Sequence, residues 1–217
     1  MTALADLLLR VERGDYPPAD GGLTVVSQPS SGTAAVVSFT GHVVVAADVD
    51  PAWVRTLLPP GELSEAFTPP FLGALADKTG LRVNAIDLLA LAPPAEGDAG
   101  LPLTAANLDH PRVRRARRYR SDVSVWSVEG GALVVGRGLA GRWEVAIEVD
   151  PPLRGRGLGR SLARAARHLV PAGRPAWAQV APGNAASVRA FLAAGYRPVG
   201  QEALLVSHRG ERSEPSR

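Results

Sequence analysis

Val145 to Leu162 reads VAIEVDPPLRGRGLGRSL. Apolar residues alternate as far as Val149, Pro151 and Pro152 stop the alternation, and an alanine-rich segment of helical period follows. A strand therefore precedes this loop and a helix succeeds it. Between them Gly155, Gly157 and Gly159 are interleaved with Arg154, Arg156 and Arg160. Glycines at a strand-to-helix junction let successive N–H groups converge on one point, with no Cβ in the way. The helix N-terminus adds roughly half a positive charge there. Arginine forks beside it suit phosphate oxygens. The stretch reads as an anion cradle, with a pyrophosphate as the fitting anion. The bland alternative is a solvated basic turn. A phosphate-binding loop would need lysine where Gly159-Arg160-Ser161 has arginine. A dinucleotide fingerprint would need G-x-G-x-x-G, and the spacing from Gly155 is G-x-G-x-G.

The rest of the 217 residues sets limits on what such a cradle can serve. Hydrophobic residues make up 46% and charged residues 21%, the balance of a soluble globular chain. With no cysteine, disulfides, thiolate nucleophiles and cysteine-ligated metal centres are excluded. The leucine run near the N-terminus is short for a signal peptide, and no apolar run reaches membrane-spanning length. The expectation is a cytoplasmic protein that does not associate with membranes. Net charge is +3, carried almost wholly by arginine, with Lys78 the single lysine. Arginine is a poor base and a good ligand for phosphate or carboxylate.

Ala92 to Leu103, APPAEGDAGLPL, lacks periodicity and reads as a linker. The expected organisation is an N-terminal half over 1–95, a linker over 96–102, a second domain over 103–208 and a disordered tail over 209–217. The two halves share a layout. Gly41 to Pro51, GHVVVAADVDP, matches Gly141 to Pro151, GRWEVAIEVDP, at Gly41, Val45, Ala46, Val49, Asp50 and Pro51. Chance recurrence of a strand followed by Asp-Pro is the competing explanation. After the shared proline only the second half has the glycine loop.

In the second half a helix begins at Pro111, and strands pair around Glu129-Gly130-Gly131. The strand RWEVAIEV follows, then a helix from Gly159 to Val170, the strand PAWAQVA, and a helix capped by Asn184 and stopped at Gly195. One or two further strands then close the domain. The fold class is α/β (α+β): a mixed central sheet flanked by helices, preceded by a smaller, degenerate α/β half.

Arg154-Gly155-Arg156-Gly157-Leu158-Gly159 resembles the Q/R-x-x-G-x-G/A motif of the GCN5-related N-acetyltransferase (GNAT) family, preceded by that family's Val-Asp-Pro. Asn184, Ser187, Phe191, Gly195 and Tyr196 fall on its N-x-x-A-x-x-x-Y-x-x-x-G-F pattern. The resemblance covers about Leu101 to His208; upstream it rests only on the internal repeat, which would make the chain a tandem protein with a degenerate first copy. It implies acetyl-CoA as donor and a small-molecule or peptide amine as acceptor. It also implies that the amides of Arg156 to Arg160 hold the pyrophosphate, and that the strand before the loop splays from its neighbour to admit the pantetheine. Main-chain groups of Ile147, Glu148 and Val149 would then bind the pantetheine, which Asn184 would face.

Acetyl transfer needs a base for the ammonium, an oxyanion donor and a proton for the thiolate. Glu144 and Glu148 lie at i and i+4 on one strand face and are the base candidates; exposed alternating positions are the alternative. Glu129 in the turn is a further carboxylate. The family places a tyrosine seven residues after the asparagine, but Phe191 stands there and has no proton to give. Tyr196 is the remaining acid candidate, with core packing as the alternative. A catalytically weak CoA-binding regulatory module is therefore the second reading. Arg114 and Arg118 are i, i+4 neighbours and suggest an acidic acceptor, against a solvated face paired with Asp109 and Asp122. Nucleic acid is disfavoured, since Tyr119 is the one aromatic nearby. His42, His110, His168 and His208 are isolated, so no metal is expected. The chain is expected to be a monomer or a homodimer.

Overall fold

The computed structural model of the chain describes residues 2–207; His208 and the expected tail at 209–217 lie outside the described residues. The chain forms two compact units, residues 2–87 with 200–207, and residues 88–199. Both are built from a mixed sheet with helices against it, the expected α/β class.

In the first unit α1 (Ala3–Glu12) is followed by β1 (Gly22–Val26), β2 (Thr33–Phe39) and β3 (His42–Ala46), then α2 (Pro51–Leu57) and α3 (Pro69–Thr79). β2 and β3 pair antiparallel, and β3 pairs parallel with β1. Valine and alanine runs on β2 and β3 are buried on both faces, as continuous apolar strands should be. Val36, Val43 and Val45 pack with Phe71, Leu72 and Leu75 of α3. Asp50 caps α2 by accepting from Ala52 N at 2.8 Å, with Pro51 in the first turn.

The second unit contains the C-terminal half of β4 (Arg82–Ala92), β5 (Thr104–Ala105), α4 (Pro111–Tyr119), β6 (Ser121–Val128), β7 (Gly131–Arg137), β8 (Trp143–Val149), α5 (Leu158–Leu169), β9 (Ala176–Val180) and α6 (Ala185–Ala193). Its strands lie in the order β4-β9-β8-β7-β6-β5, and the β8–β9 pair alone is parallel. Period-two alternation on β8 separates two layers. Trp143, Val145, Ile147 and Val149 pack with Leu162 and Ala166 of α5, while Ala146 packs with Val113 and Ala116 of α4.

Three expectations are corrected. Residues 96–102 lie within the second unit rather than between the two. Leu101 and Leu103 pack on the core of the second unit, and Arg167 of α5 donates to Pro93 O at 2.9 Å. The last strand, β10 (Arg197–Val206), belongs to the second unit only as far as Val199; from Gln201 to Val206 it pairs with β2 of the first unit. The halves also differ in connection. The parallel neighbour of β3 is the preceding β1, whereas that of β8 is the following β9. Asp50-Pro51 opens an α-helix, but Asp150-Pro151 opens only a 3-10 turn, Pro151–Leu153, with no side-chain cap. A second proline and the glycines after it delay the helix until Leu158.

Candidate functional site

β8 and β9 pair at just two positions, Glu144 with Trp177 and Val145 with Ala178. Beyond Val145 the strands separate. β8 continues through Ala146 to Val149 without a partner on that side, and its residues change from buried to half-buried there. The gap ends at the glycine loop. Gly155 and Gly157 have φ of +76° and +90°, a region unfavourable for a side chain, and a Cβ at either would meet open space. Both residues are exposed. Gly157 precedes α5, whose N-terminus has no side-chain cap, so the N–H groups of Leu158, Gly159 and Arg160 lack helical acceptors. Gly159 allows the close approach of α5: a Cβ there would lie 3.6 Å from Ala190 and 3.7 Å from Val149. Arg156 and Arg160 are exposed and form no ion pair among the described residues. Open glycines, an uncapped helix end and two cations with no ion pair among the described residues thus lie together in this loop.

Arg154 points elsewhere. Its Nε donates to Val149 O at 2.9 Å, and Nη2 lies 3.2 Å from Glu148 Oε1. On the other carboxylate oxygen of Glu148, Arg112 Nε of α4 donates at 2.8 Å. Partial burial raises the Glu148 pKa, but the bond from Arg112 and the charges of Arg112 and Arg154 outweigh it, so the carboxyl sits below its ordinary value.

Glu144 shares a strand face with Glu148 but not its environment. Its side chain is 4% exposed, with Oε2 2.9 Å from Arg120 Nε and Oε1 2.9 Å from Arg142 Nε. Leu139 N also donates to it at 3.1 Å. Burial again opposes ionisation, and the two guanidiniums and the backbone donor prevail; the pKa is lowered. Arg142 in turn lies over the Trp177 ring at 5.1 Å. Such a carboxylate is committed to its arginines and holds the base of the β8–β9 junction.

Asn184 caps α6, accepting from Ser187 N at 3.1 Å, and both sit at the start of that helix. Phe191 is buried on the same helix and meets Tyr196 edge-on, ring centroids 4.9 Å apart. The Tyr196 hydroxyl is buried and has no hydrogen-bond partner among the described residues. Burial pushes its pKa above the ordinary tyrosine value, against a smaller lowering by the Arg167 charge. Arg114 is spent on Asp109, and Arg118 lies over the Tyr119 ring at 5.2 Å. Neither is brought to the two glutamates. The arginines of this helix region that do reach them are Arg112 and Arg120, separated from their partners by 36 and 24 residues, a pairing no local spacing signals. Among the described residues no cluster of His, Cys, Asp or Glu could hold a metal ion, and no helix is long and apolar enough to cross a membrane.

Residues 145–205 match the family model described as FR47-like protein. No curated protein matches the chain. Among solved structures it is similar to a GCN5-related N-acetyltransferase from Kribbella flavida, at 19% identity over 96% of each chain and a TM-score of 0.43. An acetyltransferase from the GNAT family of Colwellia psychrerythraea is 11% identical over 57% of this chain and 56% of that one, with a TM-score of 0.41. A tandem GNAT protein from the clavulanic acid biosynthesis pathway is 16% identical over 69% of this chain and 61% of its own, with a TM-score of 0.38. The family-model match thus spans the strand, the glycine loop and both helices of the site, and in this segment the chain is similar to the FR47-like, GNAT-related proteins.

Proposed function

We propose that the protein is an N-acetyltransferase that moves the acetyl group of acetyl-CoA to the amine of an acceptor. The observation that carries this reading is the separation of β8 from β9 after Val145, leading straight to an uncapped helix end with open glycines. The residues present fit the donor. The amides of Gly157 to Arg160 would hold its pyrophosphate, and Arg156 and Arg160 would balance the charge. The free edge of β8 at Ile147, Glu148 and Val149 would bind the pantetheine amides, with Asn184 and Ser187 across the gap. Bound there, the donor supplies an activated thioester.

The chain's own part in the reaction is to orient the thioester and to move protons. A β8 backbone N–H facing the gap would stabilise the carbonyl oxygen, a contribution of about 3 kcal/mol for such a donor. Glu148, half-buried and ionised, accepts the acceptor's ammonium proton, directly or through water. Glu144 is a positioning residue, since its carboxylate is buried as well as engaged by Arg120, Arg142 and Leu139 N, whereas Glu148 is part-exposed. The departing sulfur takes its proton from solvent or from the product ammonium, because Phe191 has none and the Tyr196 hydroxyl is sealed in the core.

The absence of a side-chain acid at Phe191 favours a second reading, a CoA-binding module with weak or no turnover. The test is thiol release from acetyl-CoA against a panel of amines, with the thermal shift caused by CoA measured in parallel. Turnover with any amine supports the enzyme. Tight CoA binding without turnover supports the module, and no CoA-dependent shift removes both.

A further inference from the structure

The first unit contains a cavity of about 130 Å³ that has no part in the reading above. Its walls are apolar: Leu23 of β1, Val43 of β3, and Leu58, Leu63 and Ala66 from the segment after α2. Val43, Leu58 and Ala66 belong to the buried core of this unit. An apolar cavity of roughly 150 Å³ holds a benzene molecule, so this one accommodates a branched aliphatic group of about four carbons.

Two charged residues also line it. Arg55 comes from the last turn of α2 and Glu62 from the turn that follows Pro59-Pro60. They carry opposite charges, yet they are not paired with each other. Neither side chain has an ion pair or hydrogen bond among the described residues. Pro59 and Pro60 fix the backbone of one rim. Gly22, also of the lining, is held by Asp20, which accepts from its N–H at 2.7 Å while facing His42 Nδ1 at 2.9 Å.

We propose that this cavity binds a free amino acid with a branched aliphatic side chain. The side chain fills the apolar chamber, the carboxylate takes the Arg55 fork and the ammonium meets Glu62. A zwitterion is the class whose two charges match both residues on the rim, while a ligand with one charge or none would meet one of them or neither.

The experiment is calorimetric titration of the full chain with L-leucine, L-isoleucine and L-valine. 4-Methylpentanoate and 3-methylbutylamine, leucine without its ammonium or its carboxylate, serve as controls. At least one amino acid is expected to bind saturably, with both controls at least tenfold weaker when leucine is the ligand. Arg55→Gln and Glu62→Gln each weaken binding at least tenfold, and Leu63→Trp abolishes it by filling the chamber. Arg55 and Glu62 are exposed, so these two variants keep the fold, as circular dichroism would verify. No binding at millimolar concentration overturns the proposal. So does amino-acid binding indifferent to both exposed variants, which would place the ligand elsewhere, the acceptor position of the second unit included. Equal affinity for the singly charged controls would reduce the cavity to an apolar hole and likewise overturn it. The CoA-dependent thermal shift should persist in all three variants, which separates failure here from failure of the acetyltransferase reading.

Discussion

Arg154 turns back from the glycine loop onto the strand before it, its Nε 2.9 Å from Val149 O and its Nη2 3.2 Å from Glu148 Oε1. The residue thus touches both the main-chain edge proposed for the donor and the carboxylate proposed as base. Glu148 is shared between this cation and Arg112 of α4. Arg154→Ala removes one of the charges that hold the Glu148 pKa down, so the carboxyl moves back toward its ordinary value. The acid limb of the pH–rate profile is expected to shift to higher pH. Glu148→Gln should lower kcat by about 10²–10⁴-fold. An unmoved limb in the first variant, with near-normal turnover in the second, would remove Glu148 from the role.

Glu144 is expected to matter for stability before it matters for rate. Glu144→Gln takes away the carboxylate charge that Arg120 and Arg142 share in the interior, a change of about 3–5 kcal/mol in the unfolding free energy. The pH dependence has a definite sign. The folded-state pKa lies below the ordinary 4.5, so the stabilisation is present above that value and is lost as pH falls through the lowered pKa. Urea denaturation across the acid range should show this loss in the parent and a flatter curve in the variant.

The same carboxylate explains a glycine that the sequence does not single out. A Cβ on Gly138 would stand 2.1 Å from Glu144 Cδ, so the residue is needed for close approach. Gly138→Ala should displace the carboxylate and cost about 1–3 kcal/mol, as overpacking does. If denaturation midpoints of the parent and Gly138→Ala coincide, the buried network is looser than described.

Gly157 has φ of +90°, and its Cβ position faces open space. Gly157→Leu should cost about 1–2 kcal/mol through the left-handed backbone and place a side chain where the pyrophosphate is proposed to lie. The thermal shift caused by CoA should vanish, while Arg156→Ala should only reduce it and make it less sensitive to salt. Retention of the full shift in Gly157→Leu would move the donor away from this loop.

Tyr196 separates packing from acid catalysis. Its buried hydroxyl has no partner among the described residues, and an unsatisfied buried group of this kind costs about 1–3 kcal/mol. Tyr196→Phe is therefore expected to keep or raise the melting temperature with kcat unchanged. A hundredfold loss of kcat would instead restore Tyr196 as the acid.

Much of the second unit was legible from local pattern. Pro111 opening α4, the turn at Glu129-Gly130, the strand to Val149, α5 with Leu162, Ala165 and Ala166 buried, and Asn184 capping α6 all follow from signals within a few residues. The glycine loop was equally readable, because positive φ and an uncapped helix end are local properties. The fate of the last strand was not. Residues from Gln201 to Val206 are apolar enough for any sheet, and nothing within them specifies pairing with β2, more than 150 positions earlier.

The glutamates mark the same division. Sequence alone determined that Glu144 and Glu148 share a strand face, because side chains repeat every second residue. Only the tertiary structure decided that Arg120, Arg142 and Leu139 seal one of them, and that Arg112 and Arg154 hold the other where it is part-exposed. The physical reason is that strand periodicity is set by neighbouring residues, whereas burial and charge pairing depend on which distant arginines the packing of α4 and the strand order deliver.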